Sequence, residues 1–363
     1  MPRRLNIALV GPGLVGTAFI RQLASLPPRP VQLCLVALVR SNAAILAKDI
    51  NALDPMSSLS SLDSSASSVS PAALASFLSS LPDPAILVDA TASDTLPQAY
   101  HLFLARGIHI ATPNKRAFAS SAALYAQIHE AATLGNANLF HESTVGAALP
   151  VISTLHDLID TGDSVLRIDG IFSGTLSYIF NHFSPATHSS ALSFSQIVTQ
   201  AKQLGYTEPD PRDDLNGIDV ARKLVILSRI LGLNVDSTSS FPVNSLVPKS
   251  LESATLDDFL EKLPDHDSYF EKIRTDAQQN DMVVRYVGSI NVATGELKVA
   301  LDSFPKSHPF AALQSSDNLI SFWTKRYGDR PLIIQGAGAG ADVTAMGVLA
   351  DVIRASREII QNT

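Results

Sequence analysis

The residues best suited to chemistry lie within twenty positions of one another, in the segment 204–223, which reads LGYTEPDPRDDLNGIDVARK. Its first half supplies a substrate-sized cluster of carboxylates: Glu208, Asp210, Asp213 and Asp214. Pro209 and Pro211 lie among them. Each proline ring fixes its own φ and keeps the preceding residue out of the helical region, so we expect an extended, stiff loop.

A helix is expected over residues 214–231, and it carries a candidate proton donor. Asp219 and Lys223 are spaced i,i+4 and point the same way, beside an apolar stripe that places the lysine at the edge of a core. A solvated ion pair of roughly 0.3–0.5 kcal/mol has the same spacing. The spacing alone therefore leaves both interpretations open.

A nucleotide-binding turn is predicted near the N-terminus. The apolar strand expected over residues 5–10 runs directly into Gly11, Gly13 and Gly16, in the spacing G-x-G-x-x-G. In such a turn the first glycine allows a tight bend, the second lets the backbone approach a pyrophosphate, and the third lets the next helix pack on the strand.

The elements that follow are those of a Rossmann unit. A helix is expected over residues 14–26, and its first N–H groups, at Leu14 and Val15, would face the phosphates. A second strand is expected over residues 31–39. This order of strand, turn, helix and strand favours dinucleotide binding over a merely tight turn.

The end of the second strand bears on the choice of cofactor. The residues there are Arg40, Ser41 and Asn42, with no carboxylate to bind the 2′-hydroxyl of an NAD ribose. A guanidinium beside a hydroxyl suits a 2′-phosphate, which favours NADP. An arginine at the surface would give the same sequence, so NAD remains the alternative cofactor.

Composition and charge limit the class of protein. The 363 residues, 46% hydrophobic and 17% charged, suit a soluble enzyme of two domains. A net charge of -7 argues against a nucleic-acid partner, and no apolar run approaches a membrane span. Residues 2–4 lead straight into the first strand without a separate signal segment, and Cys34 is the only cysteine. We therefore expect a cytoplasmic enzyme without disulfides or a cysteine-based zinc site.

An α/β pattern continues to about residue 150. Further strands are expected over 85–90, 108–111 and 137–140, with helices over 96–106 and 118–134 between them. This pattern predicts a dinucleotide-binding domain, residues 1–150, on a parallel sheet whose ligand lies at the carboxyl ends of the strands. Thr91, Ser93 and Lys115 lie at such ends. The serine-rich stretch 57–81, helical near 71–78, is expected to be a surface insertion without chemistry.

The pattern then changes to longer strands, which predicts an α+β domain over residues 151–340. Strands are expected over 165–173, 282–292, 296–304, 318–326 and 332–335, with helices over 194–204 and 214–231. We expect a mixed sheet whose open edge or face is a natural dimer surface. A last helix, within 341–363, follows a glycine-rich stretch ending at Gly340, which either returns the chain to the nucleotide site or serves as a hinge.

The motifs together resemble those of homoserine dehydrogenases, and the fungal, monofunctional form most. They are GPGLVG, TPNK, HESTVGAALP, GIFSGTLSYIFN, GYTEPDPRDDLNGIDVARK and GAGAGADVTAMGVLAD. They span nearly the whole chain and leave no room for an aspartate kinase domain or an appended regulatory domain. The departure from the family is the serine-rich stretch.

The resemblance implies a reaction: reversible reduction of L-aspartate 4-semialdehyde to L-homoserine by a nicotinamide cofactor, in the biosynthesis of threonine, methionine and isoleucine. Hydride transfer to the aldehyde leaves an alkoxide that needs a proton. The family assigns this proton to the residue that matches Lys223, with Asp219 beside it. Lys115 matches a second active-site lysine, so the choice of donor stays open.

The resemblance also implies the residues that bind the substrate. Glu208 matches the contact to the substrate ammonium, with Asp214 close by. Gly174, Thr175 and Tyr206 match contacts to the amino acid.

A sodium ion is implied by the resemblance alone, bound through Glu142 and the carbonyls of Val145, Ala147 and Leu149. Hard cations favour such oxygen ligands, although a carboxylate at a strand end also serves as an ordinary hydrogen-bond acceptor. The histidines that would suggest other mechanisms are held to be structural: His141, His182 and His308.

Two other functions agree with parts of the sequence but less well with the whole. Aspartate semialdehyde dehydrogenase requires a nucleophilic cysteine, whereas Cys34 lies within an apolar strand, where a thiol is usually inert. A non-enzymatic NADP-sensing repressor with a dehydrogenase-like fold would not require the arrangement around Lys223.

Overall fold

The chain divides into two units that are each built around a sheet: Met1–Ala148 with Ala339–Thr363, and Leu149–Gly338. A computed structural model describes residues 3–48, 51–65, 67–187 and 190–361. Among these residues, no helix combines the length and the apolar character that a membrane span requires.

The first unit contains a six-stranded sheet in the order β3-β2-β1-β4-β5-β6. The strands are β1 Arg3–Val10, β2 Val31–Arg40, β3 Ala43–Leu46, β4 Ala85–Asp89, β5 His109–Ala111 and β6 Leu139–Phe140. All pair in parallel except β3, which is an antiparallel edge strand hydrogen-bonded to β2. The predicted Rossmann fold is confirmed. Its strands are near-continuous apolar runs because helices cover both faces of such a sheet.

The described residues before position 148 also form seven α-helices. They are α1 Leu14–Ala24, α2 Pro55–Ser61, α3 Pro71–Ser79, α4 Thr95–Gln98, α5 Tyr100–Leu104, α6 Arg116–Ala119 and α7 Ala122–Gly135. The helices expected over 96–106 and 118–134 are each divided. In the second case Ser121 caps the new helix, since its side chain accepts a hydrogen bond from the Leu124 N–H.

The second unit contains a five-stranded sheet in the order β11-β10-β7-β8-β9. The strands are β7 Val165–Ile171, β8 Met282–Asn291, β9 Glu296–Pro305, β10 Asp317–Thr324 and β11 Leu332–Ala337. The α+β character is confirmed, but every pair in this sheet is antiparallel, so the expectation of a mixed sheet was wrong. A parallel pair needs a crossover, whereas β8 and β9 are joined by a short hairpin at Gly295.

The helices of the second unit are α8 Val151–Asp160, α9 Gly174–Phe183, α10 Phe194–Gln203, α11 Arg212–Leu215, α12 Ile218–Ile230, α13 Leu256–Lys262 and α14 Asp267–Gln279. Of these, α9, α12 and α14 pack on β8. The single helix expected over 214–231 is interrupted. Gly217 has a φ of 74°, and Asn216 Oδ1 accepts the Ile218 N–H at 2.8 Å, which begins α12 as a new helix.

The last helix, α15 Ala341–Gln361, belongs to the first unit and packs on α1. Gln22 Nε2 donates a hydrogen bond to the Asp342 carbonyl oxygen at 2.9 Å, joining the two helices. The glycine-rich stretch spans the end of β11 and the start of α15. Gly340, the residue before α15, is exposed and has a φ of 111°.

Candidate functional site

The glycine turn at the end of β1 has a conformation that only glycine adopts readily. Gly11 has a φ of 87°, and its N–H donates to the Val39 carbonyl oxygen at 2.9 Å, which ties the ends of β1 and β2 together. A Cβ at Gly16 would overlap the Gly11 carbonyl oxygen, whereas a Cβ at Gly13 would meet nothing within 4 Å. The backbone at Gly13 is therefore open to an approaching ligand, and Gly16 permits close packing.

The start of α1 has the character of an anion site. Gly13 is the N-cap and has no side chain to cap the helix, and the first turn contains no acidic residue. The N–H groups of a helix start favour negative charge. Leu14 at the first helical position is 84% exposed, although a leucine is normally buried, and Val15 is half-buried.

A buried carboxylate organises the loop after β4. Asp89 is fully buried, and its Oδ2 accepts hydrogen bonds from the Tyr100 hydroxyl at 2.6 Å and from Asn114 Nδ2 at 3.2 Å. Its Oδ1 accepts the Thr91 N–H at 2.8 Å. Burial raises the pKa of Asp89, and these hydrogen bonds oppose the rise.

Asn114 joins this loop to the loop after β5. Its Nδ2 also donates to the Ser93 carbonyl oxygen at 2.9 Å, and its Oδ1 accepts the Arg116 N–H at 3.0 Å. Lys115 lies between these two hydrogen-bonded residues, at the N-cap of α6. Thr91, Ser93 and Lys115, predicted from their place at strand ends, thus lie on two loops that share one buried network.

Arg40 is the last residue of β2, and its guanidinium forms an ion pair with Asp63. Asp63 lies in the short 3₁₀ turn Leu62–Ser64 of the serine-rich stretch, and its side chain is 76% exposed. The stretch expected to carry no chemistry therefore supplies a carboxylate to the guanidinium that we expected to face a phosphate.

The lone cysteine is unsuited to nucleophilic catalysis. Cys34 lies in β2, is 1% exposed, and has its pKa raised, first of all by burial. A nucleophilic cysteine needs an accessible, easily ionised thiol.

Lys223 is buried in the second unit, so the Asp219–Lys223 pair is not the solvated kind. The lysine side chain is 8% exposed, and Nζ lies 2.8 Å from Asp219 Oδ2. Nζ also donates to the Phe172 carbonyl oxygen at 2.6 Å. An ammonium removed from water needs such partners, because its lost hydration costs several kcal/mol.

Four of the predicted substrate residues come together around Asp214. Asp214 Oδ2 accepts the Glu208 N–H at 2.8 Å, and Oδ1 lies 2.8 Å from Thr175 Oγ1. The same hydroxyl is 2.6 Å from the Tyr206 carbonyl oxygen. Gly174, the remaining predicted residue, is the first residue of α9 and directly precedes Thr175.

The electrostatics of this cluster favour a cationic ligand. The pKa of Asp214 is raised to about 6, chiefly by burial and further by the negative charges of Glu208 and Asp219. Hydrogen bonds from Glu208 N–H and Thr175 lower it in part. A ligand ammonium would relieve the repulsion among these carboxylates.

The other two carboxylates of the loop do not join the cluster. Asp210 accepts a hydrogen bond from Arg212 Nε at 3.0 Å, and Arg212 also donates to the Ala254 carbonyl oxygen at 2.7 Å, so this pair anchors the loop. Asp213 is exposed. We expected an extended loop, but the loop is not extended throughout. Pro211 has helical φ and ψ and is the N-cap of α11.

Glu142 lies in a buried acidic pair of the first unit. It is 4% exposed, and its N–H donates to Asp351 Oδ2 at 3.1 Å. Arg354 contacts both carboxylates, Glu142 at 3.1 Å and Asp351 at 2.9 Å. The pKa of Asp351 is raised to about 7, mainly by burial and partly by Glu142, while Arg354 lowers it.

The loop after Glu142 has an unusual backbone. Gly146 and Ala147 have φ values of 78° and 56°, and a left-handed alanine costs about 1–2 kcal/mol. Val145 and Ala147 belong to the first unit, whereas Leu149 begins the second. Among the described residues there is no group of at least three His, Cys, Asp or Glu side chains that could hold a metal ion.

Comparison with known proteins decides the family. A family model described as the NAD binding domain of homoserine dehydrogenase matches residues 11–142, and one described as homoserine dehydrogenase matches residues 150–353. A homoserine dehydrogenase of Emericella nidulans is 49% identical, covering 98% of this chain and 99% of that protein. That of Saccharomyces cerevisiae is 46% identical, covering 98% and 99%. The chain belongs to the homoserine dehydrogenase family.

Solved structures share this fold. A Candida auris protein of unknown function has a TM-score of 0.92 and 47% identity, covering 97% of this chain and 98% of that one. A hyperthermophilic archaeal homoserine dehydrogenase in complex with NADPH has a TM-score of 0.72 and 23% identity, covering 98% of each chain. At that identity the second likeness concerns the fold alone.

As a homoserine dehydrogenase, the chain is an oxidoreductase that acts on a CH–OH group. It catalyses the reversible NAD(P)-dependent interconversion of L-homoserine and L-aspartate 4-semialdehyde, in the biosynthesis of threonine, methionine and isoleucine.

In this homoserine dehydrogenase, two residues of the buried network that joins the loops after β4 and β5 were not predicted from the sequence as site residues. Asp89 and Asn114 were expected at the carboxyl ends of parallel strands, where ligands of such sheets bind, but neither was predicted as a site residue. Their position could have singled them out. Their partnership with Tyr100 could not have been found, because a hydrogen bond between side chains is not encoded in sequence spacing.

The raised pKa of Asp214 predicts a pH dependence of substrate binding. Below about pH 6 this carboxyl becomes protonated and loses the charge that favours an ammonium. We expect the homoserine KM to rise as pH falls through this value. Asp214→Asn should give a high KM with little pH dependence, measured by steady-state kinetics from pH 5 to about 8. Asp213→Asn is the matched control and should behave as wild type; an identical profile in both variants would contradict the assignment.

Proposed function

We propose that Lys223 is the general acid and base of homoserine oxidation and reduction. One observation carries this proposal: a buried ammonium, held by Asp219 and the Phe172 carbonyl, on the same unit as the acidic cluster around Asp214. In the reducing direction the lysine gives a proton to the alkoxide that hydride transfer creates, and in the oxidising direction the neutral amine removes it. Burial favours proton release by a lysine.

Substrate binding is proposed to rest on the acidic cluster. Glu208 and Asp214 would hold the ammonium of the amino acid, while Thr175 and Tyr206 border the same place. Gly174 would offer backbone at the start of α9, where no side chain hinders approach. A carboxylate cluster with mutual repulsion gains most from a cationic ligand.

Lys115 is proposed to act as a positioning charge for the cofactor and substrate rather than as the proton donor. It lies on the first unit, on the loop that Asn114 ties to the buried Asp89. Thr91, Ser93 and Gly340 are proposed as further cofactor contacts, together with the glycine turn and the first residues of α1.

The proton-transfer role predicts a specific loss. Lys223→Met keeps the length and apolar stem of the side chain but removes the transferable proton, so turnover should fall by about 10²- to 10⁴-fold. Cofactor affinity, measured by the fluorescence of bound NADPH, should change little.

Lys262 provides a matched control, since it pairs with Asp258 at the same i,i+4 spacing but is 54% exposed. Lys262→Met should retain full turnover. If Lys223→Met turns over normally and Lys115→Ala does not, the two lysine roles must be exchanged.

The cofactor is a nicotinamide dinucleotide, and we propose that NADP(H) is preferred. Arg40 closes the strand beside the glycine turn, where a guanidinium suits a 2′-phosphate. Asp63 competes for this guanidinium, because the two are ion-paired. The preference for NADP(H) over NAD(H) therefore depends on how well the 2′-phosphate competes with the Asp63 carboxylate for the Arg40 guanidinium.

Competition for the Arg40 guanidinium predicts opposite effects of two substitutions. Arg40→Glu should shift the ratio of kcat/KM values for NADP and NAD towards NAD by roughly ten- to a hundredfold, since a charge-assisted hydrogen bond contributes about 1.5–3 kcal/mol. Asp63→Asn should shift the ratio towards NADP, because Arg40 loses its competing partner. Unchanged ratios in both variants would show that Arg40 does not contact the cofactor.

A sodium ion is proposed at Glu142, with the carbonyls of Val145 and Ala147. The buried carboxylates of Glu142 and Asp351 both contact Arg354, and such a group of buried oxygens suits a hard cation. The left-handed backbone at Ala147 is also a strained conformation of the kind found at functional loops.

Ligand linkage tests the ion. The melting temperature should rise with NaCl but not with choline chloride at equal ionic strength, because only a bound ion stabilises the folded state. Glu142→Gln should abolish the difference between the two salts, and Glu130→Gln should preserve it. Equal responses to both salts in the wild type would remove the sodium site.

The second unit is proposed to form a homodimer through the open face of its sheet. Helices α9, α12 and α14 cover one face at β8. The other face is lined by residues of both charge signs, which a twofold-related copy can complement: Arg167, Asp169, Ser289, Lys298, Asp302 and His308. This unit would then combine the catalytic and dimerisation roles. We also propose a cytoplasmic location, where the free thiol of Cys34 stays reduced.

A large charge introduced on this face should prevent dimerisation. Ala300 lines the face, so Ala300→Arg should yield a monomer by size-exclusion chromatography with light scattering, whereas the wild type elutes with the mass of a dimer. Ala293→Arg, in the exposed hairpin turn of the same sheet, is the matched control and should remain dimeric. A dimeric Ala300→Arg variant would exclude this face.

A further inference from the structure

The Phe172 carbonyl oxygen accepts hydrogen bonds from two buried side chains, Lys223 and Asn318. Asn318 Nδ2 donates to the Phe172 carbonyl oxygen at 3.1 Å, while Lys223 Nζ donates to the same oxygen at 2.6 Å. Phe172 directly follows β7, and Asn318 is the second residue of β10. Asn318 is fully buried. The amide and the proposed proton donor therefore share one backbone carbonyl oxygen.

Stability alone does not account for an asparagine at this position. Among the described residues, Asn318 Oδ1 is one of the buried side-chain atoms that have no hydrogen-bond partner. An unsatisfied buried acceptor costs about 1–3 kcal/mol, and an apolar side chain of similar volume would avoid this cost. The Phe172 carbonyl would still be satisfied by Lys223.

The surroundings are shaped to keep the amide and the carbonyl in place. A Cβ at Gly338 would overlap the Asn318 side chain, so this glycine of the GAGAG stretch makes room for the amide. On the other side, a Cβ at Gly288 would lie 3.1 Å from the Phe172 ring and 3.0 Å from Leu224 of α12. Glycine at 288 therefore leaves room for the Phe172 ring and for the helix that carries Lys223.

We propose that Asn318 is a positioning residue for Lys223: by fixing the orientation of the Phe172 carbonyl, it fixes where the lysine Nζ presents its proton. This inference rests on the proposed role of Lys223. The second donor also shares the electron density of the carbonyl, which limits how strongly the carbonyl stabilises the charged lysine. Asn318 therefore favours release of the proton as well as its direction.

Removal of the amide has a consequence for pH that a merely structural residue would not have. Without the competing N–H, the carbonyl binds the ammonium more strongly, and the charged lysine is stabilised. Homoserine oxidation needs the neutral amine, so the limb of its pH profile that reports this amine should move to higher pH. Asn318→Leu leaves no cavity and removes the unsatisfied oxygen.

The experiment compares full pH profiles of kcat for homoserine oxidation. Asn318→Leu should lower kcat about tenfold near neutral pH and move the limb upward by about one pH unit. The NADP KM should stay within about twofold, and the melting temperature should be unchanged or higher.

Asn181 offers a matched control. Its Nδ2 also donates to a backbone carbonyl, that of Ser315 at 3.0 Å, and its Oδ1 is likewise buried without a partner among the described residues. Asn181→Leu should leave both kcat and the pH profile as in the wild type.

The outcomes separate this inference from the role of Lys223. A wild-type profile in Asn318→Leu, or a lower kcat with an unmoved limb, overturns the positioning role while an inactive Lys223→Met still supports the lysine as proton donor. Normal turnover of Lys223→Met instead removes the lysine and this inference together.

Discussion

The burial of the Lys223 ammonium group constrains how the elements of the second unit are arranged. An ammonium removed from water costs several kcal/mol unless it is paired and hydrogen-bonded. Lys223 meets this requirement with the Asp219 carboxylate and the Phe172 carbonyl. The first partner comes from its own helix, and the second from the end of β7. Helix α12, the central sheet and the turn that begins α9 must therefore hold a fixed relation, which the glycine at 288 permits by letting α12 pack close to β8.

The first unit depends on a comparable device with the opposite sign. Asp89 is fully buried, and its hydrogen bonds join the loops after β4 and β5. A buried carboxylate in a satisfied network orders its donors, because each lost hydrogen bond would leave a buried group unpaired. Thr91 and Asn114 are ordered directly. Both units thus use a buried charged group to hold the residues proposed to meet the ligands.

Neighbouring carboxylates repel one another at both places where a cation is proposed to bind. The neighbours Glu208 and Asp219 raise the pKa of Asp214, and Glu142 raises that of Asp351. In each case a bound cation would relieve the repulsion between the carboxylates. The proposed cation is the substrate ammonium at Asp214 and a metal ion at Asp351. The Arg40–Asp63 pair is the reverse, since its charges are already balanced and a phosphate must compete for the guanidinium.

The sequence by itself determined the Rossmann fold, the glycine turn and the family, because these depend on local spacing: a strand, three glycines and a helix in order. It also located Lys223, but not its burial. The expectation of a mixed sheet was wrong, since strand direction follows from how distant segments pair. The helix over 214–231 was expected to be continuous. Its interruption at Gly217 involves the Tyr286 hydroxyl of β8, which leaves no room for a side chain there and is distant in the sequence. Tertiary structure alone decided that Asp63 meets Arg40 and that Asn318 shares the Phe172 carbonyl oxygen with Lys223. These contacts join residues far apart in the chain, and no sequence spacing encodes them.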